Sequence, residues 1–208
     1  SYHSTLEYYK LINEGVSKQI GLDANPELLI YSINIDVMRR QVIDEINSTY
    51  LKVAQKLQQA GAEAIIICAN TPHMAVEFVQ PKIDIPFLHI ADAIGQEAKK
   101  YNYKSLLLLG NKPTTTKAFL KDYLAENYGL NIVIPSESNI NKSHYYVSKE
   151  LTKGQFTSEA KKFYKELIKT HQERIDAAIL GCTELPILLK DEKSVVSFLK
   201  TTDLHIKS

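Results

Sequence analysis

The chain has 208 residues, 44% of them hydrophobic and 24% charged, with a formal net charge of +1. That is enough for one large domain or two small ones with a real core. It leaves no basic field for nucleic acid, no acidic tail and no apolar run near the length of a membrane span. Two cysteines are too few for a disulfide framework and read as the usage of a cytoplasmic protein.

Leu6, Tyr9, Ile12, Val16 and Ile20 recur at helical spacing up to Gly21. No signal-peptide pattern opens the chain. A βα chain usually begins on a strand and none precedes this helix, so the native start is expected to lie upstream of Ser1. Leu28 to Ile35 reads as a strand behind the breaker Pro26. One long helix is expected to carry Met38, Val42, Ile46, Tyr50, Val53 and Leu57, closed by Ala60-Gly61. Ala64 to Ala69 is a strand, and Thr71-Pro72 reads as a cap and first position of the helix that follows.

Pro86 to Ile90 is a short buried strand, Ala91 to Tyr101 a helix, and Lys104 to Leu109 a strand ending at Gly110. Thr114-Thr115-Thr116 is expected to cap a helix through Asn127. Asn131 to Ile134 is a strand, and Ser138 to Thr152 and Ser158 to His171 are helices. Ala177 to Gly181 is a strand, Leu185 to Leu189 a short helix, and Val195 to Leu199 a last strand. The C-terminal residues look like the start of another helix. This alternation predicts an α/β fold of two similar domains, each a parallel sheet flanked by helices, with the active site in the cleft between them. The first domain is expected over 1–91, rejoined by 195–208, and the second over 92–194.

Two stretches resemble each other. Ala64-Ile65-Ile66-Ile67-Cys68-Ala69-Asn70-Thr71-Pro72 and Ala177-Ala178-Ile179-Leu180-Gly181-Cys182-Thr183-Glu184-Leu185-Pro186 each run an apolar strand into a thiol, small polar groups and a helix start. Ligands of such sheets bind beyond the carboxyl ends of strands, where Cys68, Thr114 and Cys182 fall. Backbone N–H groups at a helix start attract anions and favour a thiolate. Asn70, Thr71, Thr114 and Thr183 add neutral donors, and Glu184 a charge for a substrate ammonium. Two thiols on opposite faces of an amino acid could remove and return its α-proton with no cofactor, given donors around its carboxylate.

These residues carry a family resemblance. Ser4-Thr5, Tyr8-Tyr9, Leu11-Ile12-Asn13, Ala60-Gly61-Ala62-Glu63, Asn70-Thr71-Pro72-His73, Pro86 to Ala93, Leu108-Leu109-Gly110, Gly154-Gln155-Phe156 and Gly181-Cys182-Thr183-Glu184 resemble the pyridoxal-phosphate-independent aspartate/glutamate racemase superfamily, in its aspartate racemase branch. The resemblance implies two α/β domains with the site between them, a homodimer, an acidic amino acid as substrate and no cofactor. It also implies that the start would be a strand ending in a Gly-Gly-containing loop that lines the substrate site.

One departure matters. In the family the first catalytic cysteine directly precedes the Asn-Thr pair; here Ala69 stands there and Cys68 one residue earlier. Matching Glu63 to Asp176 pairs Ala69 with Cys182, whereas matching Pro72 to Pro186 pairs Cys68 with Cys182. Neighbouring strand residues face opposite sides, so the choice decides whether Cys68 can act. Arg39, Arg40 or Gln41 stands where the family has a substrate-binding polar residue, and Lys142 could supply a cation. Thr201 and His205 resemble a Thr-x-x-x-His segment, with Lys200 where Asp is usual.

Plainer roles stand beside each of these. Cys68 could be a core thiol, Asn70, Thr71 and Thr114 helix caps, and Glu184 a first-turn acid. His73, His89 and His205 could be structural, and the Cys and His spacings offer no metal site. The reading is a racemase of aspartate or glutamate with Cys182 and Cys68 as acid/base groups and Asn70, Thr71, Thr114, Thr183 and Glu184 binding substrate. The alternatives are a single-cysteine decarboxylase or isomerase on the same fold, and a carboxylate binder without turnover.

Overall fold

A computed structural model describes residues 2–21, 24–190, 192 and 194–208. It divides into two units, Ser1–His89 with Ile206–Ser208, and Ile90–His205.

In the first unit, α1 (Tyr2–Ile20) buries Ser4 and Tyr8, while Leu6, Tyr9 and Ile20 are exposed. The strand expected at Leu28–Ile35 does not form. Residues 24–34 belong to no ladder, and Leu28, Leu29, Ile30 and Tyr31 are exposed. β propensity expresses itself only against a neighbouring strand, and among the described residues none pairs with this segment. The long helix expected next is two, α2 (Asp36–Arg40) and α3 (Ile43–Gln59). Gln41 breaks it by taking left-handed backbone, φ 54°, with its side-chain amide donating to the Met38 carbonyl.

β1 (Ile65–Ile66) leads through a 3₁₀ turn, Thr71–Ala75, into α4 (Val76–Val79), and β2 (Phe87–Leu88) pairs parallel with β1. Ile46 and Ala54 of α3 pack with Ile65, Ala75 and Val79 in a single core.

The second unit opens with α5 (Ile90–Lys100), β3 (Ser105–Leu109), α6 (Lys112–Thr116), α7 (Ala118–Tyr128) and β4 (Asn131–Val133). α8 (Glu137–Tyr145) continues as a π turn, Tyr146–Glu150, and a 3₁₀ turn that left-handed Gly154 ends. α9 (Ser158–Lys169), β5 (Ala177–Leu180), α10 (Leu185–Leu188), β6 (Ser197–Lys200) and α11 (Thr201–His205) complete it. The four strands are all parallel in the order β4-β3-β5-β6.

Alternate residues feed two cores, as a sheet covered on both faces requires. Leu107, Leu109, Ala178 and Leu180 pack against Tyr164, Leu167 and Ile168 of α9. Leu106, Leu108, Ala177 and Ile179 pack against Ile90, Ile94 and Ala98 of α5 and Leu120 and Leu124 of α7. Each fully buried leucine contributes roughly 1.5–3 kcal/mol, which is why the unbroken run Leu106–Leu109 anchors this sheet. The α/β class with parallel sheets flanked by helices is therefore as expected.

The last strand is a correction. It was expected to rejoin the first half, but β6 pairs with β5, Leu180 opposite Lys200, and Leu199 fills the core beside Leu106 and Ile179. The second unit thus runs to His205, and only Ile206–Ser208 go with the first. An edge strand joins whichever sheet leaves a ladder open beside it, a choice its own residues do not encode.

Candidate active site

In the second unit the polypeptide leaves β5 through Gly181, whose N–H still donates to the Leu109 carbonyl. Glycine is required there: a Cβ would lie 2.7 Å from the Leu109 carbonyl oxygen and 3.1 Å from the Thr114 methyl. Cys182 follows, 8% exposed. Its thiol donates to the Glu184 carboxylate at 2.7 Å, and the Thr183 hydroxyl donates to the same oxygen at 2.9 Å. Burial, then the Glu184 charge, pushes the Cys182 thiol well above its ordinary range. The N–H groups of Glu184 and Leu185 pull the other way and are outweighed. Cys182 is thus a protonated thiol at neutral pH, with a proton acceptor in contact and N–H donors ready for the thiolate.

Thr114 is fully buried, yet it is not the cap of its helix. Asn111 is, its side chain accepting from the Thr114 N–H at 2.9 Å, with Pro113 in the first turn. Asn111 was within reach of sequence reasoning, since Asn two residues before Pro is a helix-start signature. Thr114 instead lays its methyl against Gly110 and Gly181, the last turns of β3 and β5.

Two buried groups that the sequence did not announce stand behind this turn. The Ser143 hydroxyl on α8 donates to the Gly110 carbonyl at 2.7 Å. The Tyr164 hydroxyl on α9 lies 2.8 Å from that same Ser143 oxygen, so Tyr164 supplies the proton of that bond. Burial raises the Tyr164 phenol, and the nearby Cys182 adds to the rise. Lys142, one residue before Ser143, is exposed and lies over the Phe163 ring, 5.1 Å from its centre.

In the first unit, Cys68 is partly buried just beyond β1, and burial pushes its thiol up to about 11. The Tyr50 phenol of α3 is close enough for the thiol to help raise it, although burial is the larger cause there too. The Ala69 N–H donates to the Ile67 carbonyl at 2.7 Å. This three-residue turn centred on Cys68 ends the strand alternation there.

Counted from the last laddered residue, Ile66 and Leu180, Cys68 and Cys182 both stand two residues on. Asn70 is buried and precedes the 3₁₀ turn, but its side chain makes no capping bond, and Thr71 is the first residue inside it. The expected cap-and-proline helix start is therefore a 3₁₀ turn. Buried His73 sends Nδ1 to the Ala69 and Asn70 carbonyls, 2.9 and 3.1 Å, and meets the His89 ring edge-on. Arg40 pairs with Asp36 and Glu45.

Among the described residues no helix is long and apolar enough to cross a membrane, and no group of three or more His, Cys, Asp or Glu side chains could hold a metal ion.

A parallel α/β sheet with a thiol–carboxylate pair at a strand end places this chain in the class of α/β proteins that carry a site beyond the carboxyl ends of their strands. The sequence profile of the Asp/Glu/Hydantoin racemase family matches residues 1–208, and the chain belongs to that family. The broad-specificity amino-acid racemase RacX of Bacillus subtilis is 23% identical over 190 residues, 88% of this chain and 80% of RacX. The chain also matches glutamate racemases, of whose length it spans 54–61%.

An aspartate racemase homologue from Pyrococcus horikoshii is 32% identical, with a TM-score of 0.84 over 100% of this chain and 92% of that one. A Yersinia pestis structure, provisionally assigned as an Asp/Glu racemase, is 27% identical, with a TM-score of 0.92 over 99% of this chain and 92% of that one. The chain is thereby placed among the amino-acid racemases, on the aspartate racemase side of the family.

Proposed function

We propose that the chain inverts the α-carbon of an acidic amino acid, aspartate or glutamate, by proton transfer through thiols and without a cofactor. The observation that carries this is the contact of the Cys182 thiol with Glu184. An α-proton beside a carboxylate is weakly acidic, so the enzyme must offer a base on one face, an acid on the other, and donors where charge develops.

Cys182 in its protonated form is the acid for one face: its S–H breaks as the α-C–H forms. In the reverse direction Glu184 first takes the thiol proton. The thiolate then removes the α-proton, held meanwhile by the N–H groups of Glu184 and Leu185. Thr183 orients Glu184 through its own bond to the carboxylate. The second Glu184 oxygen is available for the substrate ammonium, and Thr114, Asn70 and Thr71 are assigned to its carboxylates. Cys68 is the acid/base for the other face, supported by its matching distance from the strand end.

We place the enzyme in the cytoplasm as a homodimer. The free state of both cysteines supports the compartment, and the family resemblance supports the dimer.

A single-thiol reaction, decarboxylation or isomerisation, is the second reading. The alanine at position 69, which cannot carry a proton where the family has its first cysteine, favours it. The test is incubation with each enantiomer of aspartate and glutamate in heavy water, following inversion and α-deuterium together. Inversion lost in both Cys182→Ala and Cys68→Ala supports two bases. Inversion that survives Cys68→Ala removes Cys68 from the mechanism, and exchange without inversion leaves a one-thiol site. Stabilisation by these acids with no exchange would mean a binder without turnover.

A further inference from the structure

The proton transfer assigned to Cys182 depends on where its sulfur sits, and three contacts from α8 decide where the neighbouring turn lies. The Ser143 hydroxyl donates to the Gly110 carbonyl at 2.7 Å. The Lys112 backbone N–H donates to His144 Nδ1 at 3.4 Å, and the Lys112 ammonium donates to the Asn141 side chain at 2.9 Å. All three grip the connection from β3 to α6. That connection carries Gly110 and leads into Thr114 of α6, and both rest on Gly181, the residue that launches Cys182. Of the three contacts only the Ser143 bond is buried, and Ser143 itself is 3% exposed. It is therefore the one that water cannot replace.

We infer that Ser143 is a positioning residue for the reaction: its hydroxyl holds the Gly110–Thr114 turn against Gly181 and so fixes the place of the Cys182 thiol relative to the substrate α-carbon. The inference rests on the racemase reading. Its chemistry is specific to the hydroxyl. Gly110 offers a carbonyl, Tyr164 offers a donor, and only a small group that both donates and accepts satisfies the two at once. Tyr164 is the outer member of the chain: removing its hydroxyl leaves the Ser143–Gly110 bond in place. The two residues therefore separate positioning from packing. A thiol displaced by a fraction of an ångström loses rate far more than binding, because alignment matters most in the transition state.

The experiment is steady-state racemisation of aspartate and glutamate by wild type, Ser143→Ala, Ser143→Thr and Tyr164→Phe, with the melting temperature of each measured alongside. Ser143→Ala is expected to lower kcat about 10- to 100-fold with KM within about threefold. Tyr164→Phe is expected to keep kcat within about threefold despite a comparable drop in melting temperature. Ser143→Thr, which keeps the hydroxyl, is expected to recover most of the rate, and this variant together with Tyr164→Phe decides the matter if Ser143→Ala does not fold. A folded Ser143→Ala with wild-type kcat overturns the inference and leaves the racemase reading intact. So does a parallel fall of kcat in Ser143→Ala and Tyr164→Phe, which would make both residues mere packing. A wild type with no inversion and no α-exchange on any amino acid overturns the racemase reading and this inference with it.

Discussion

The Cys182 thiol donates to the Glu184 carboxylate at 2.7 Å, so the charge on Glu184 acts directly on the thiol proton. A negative charge in contact holds the proton on sulfur, and burial adds to it. Replacing Glu184 by Gln removes the charge while keeping an acceptor. The thiol pKa is then expected to fall, so alkylation of Cys182 by iodoacetamide at about pH 8.5 should be faster in Glu184→Gln than in wild type. Racemisation should move the opposite way, falling by about 10²-fold or more, the usual weight of a positioned acid/base group. Faster alkylation with unchanged racemisation would leave Glu184 as a tuner of the thiol and no proton carrier.

Cys68 makes a stability prediction with a definite sign. Its folded pKa is raised by burial from 9.0 to about 11. The native chain therefore keeps a proton that the unfolded chain has lost. The associated stability is fully present below about pH 9 and declines as pH rises through about 11. Urea unfolding near pH 8 and near pH 10.5 should show wild type losing more stability than Cys68→Ala over that interval, by on the order of 1–2 kcal/mol. Equal losses in the two proteins would mean that the thiol is far more open to water than the structure places it.

The sequence made the second unit plain and the first unit only partly so, for physical reasons. An unbroken apolar run such as Leu106–Leu109 can satisfy itself only as a strand covered on both faces. The Gly181-Cys182-Thr183-Glu184 exit is local, so its contacts follow from chain neighbours. Even there the role expected for Glu184 toward a substrate ammonium missed its nearer bond to Cys182. The Leu28–Ile35 segment has the composition of a strand, but a ladder needs a second strand, and composition does not reveal whether one is at hand.

The two conflicting registers at Cys68 trace to the strands themselves: the last laddered residue lies three beyond Glu63 in β1 but four beyond Asp176 in β5, a difference invisible in a pattern of types. Ser143 and Tyr164 were not found because a serine 33 positions from its acceptor and a tyrosine 21 positions from its partner carry no local signal. Which sheet β6 joins is not legible in its residues, because edge pairing is decided by the sheet.

Gly181 has no positive φ to explain it; what requires glycine is space. A methyl there meets the Leu109 carbonyl oxygen at 2.7 Å, a backbone atom that cannot swing aside. Gly181→Ala should therefore separate the ends of β3 and β5, costing about 1–3 kcal/mol in chemical unfolding. It should also lower racemisation at least about tenfold through displacement of Cys182. Gly110→Ala has a milder closest approach, 3.2 Å to the Gly181 carbonyl oxygen, and is expected to cost less on both counts. The reverse order would show that the turn yields at Gly181 and that Cys182 is held by something else.

Gly95 provides the contrasting case, a tight packing position in the middle of α5. A Cβ there would overlap the ring of Tyr128, the last residue of α7. That ring is tethered: the Tyr128 and Tyr123 hydroxyls both donate to Asp92 Oδ1, at 2.8 and 2.9 Å. Burial, the hydrogen bond to Asp92 and its charge push the Tyr123 phenol up to about 12. Gly95→Ala must push the Tyr128 ring aside and strain this paired acceptor, at a cost of about 1–2 kcal/mol. The disturbance lies between α5 and α7 and does not reach Gly110, Thr114 or Gly181, so kcat at a temperature where the variant is fully folded should stay within about twofold of wild type. Tyr128→Phe should not relieve the clash, and the double variant should cost less than the sum of the two single changes, because both act on the one Asp92 contact. Strict additivity in unfolding measurements would mean that the ring is displaced without its hydroxyl ever losing Asp92.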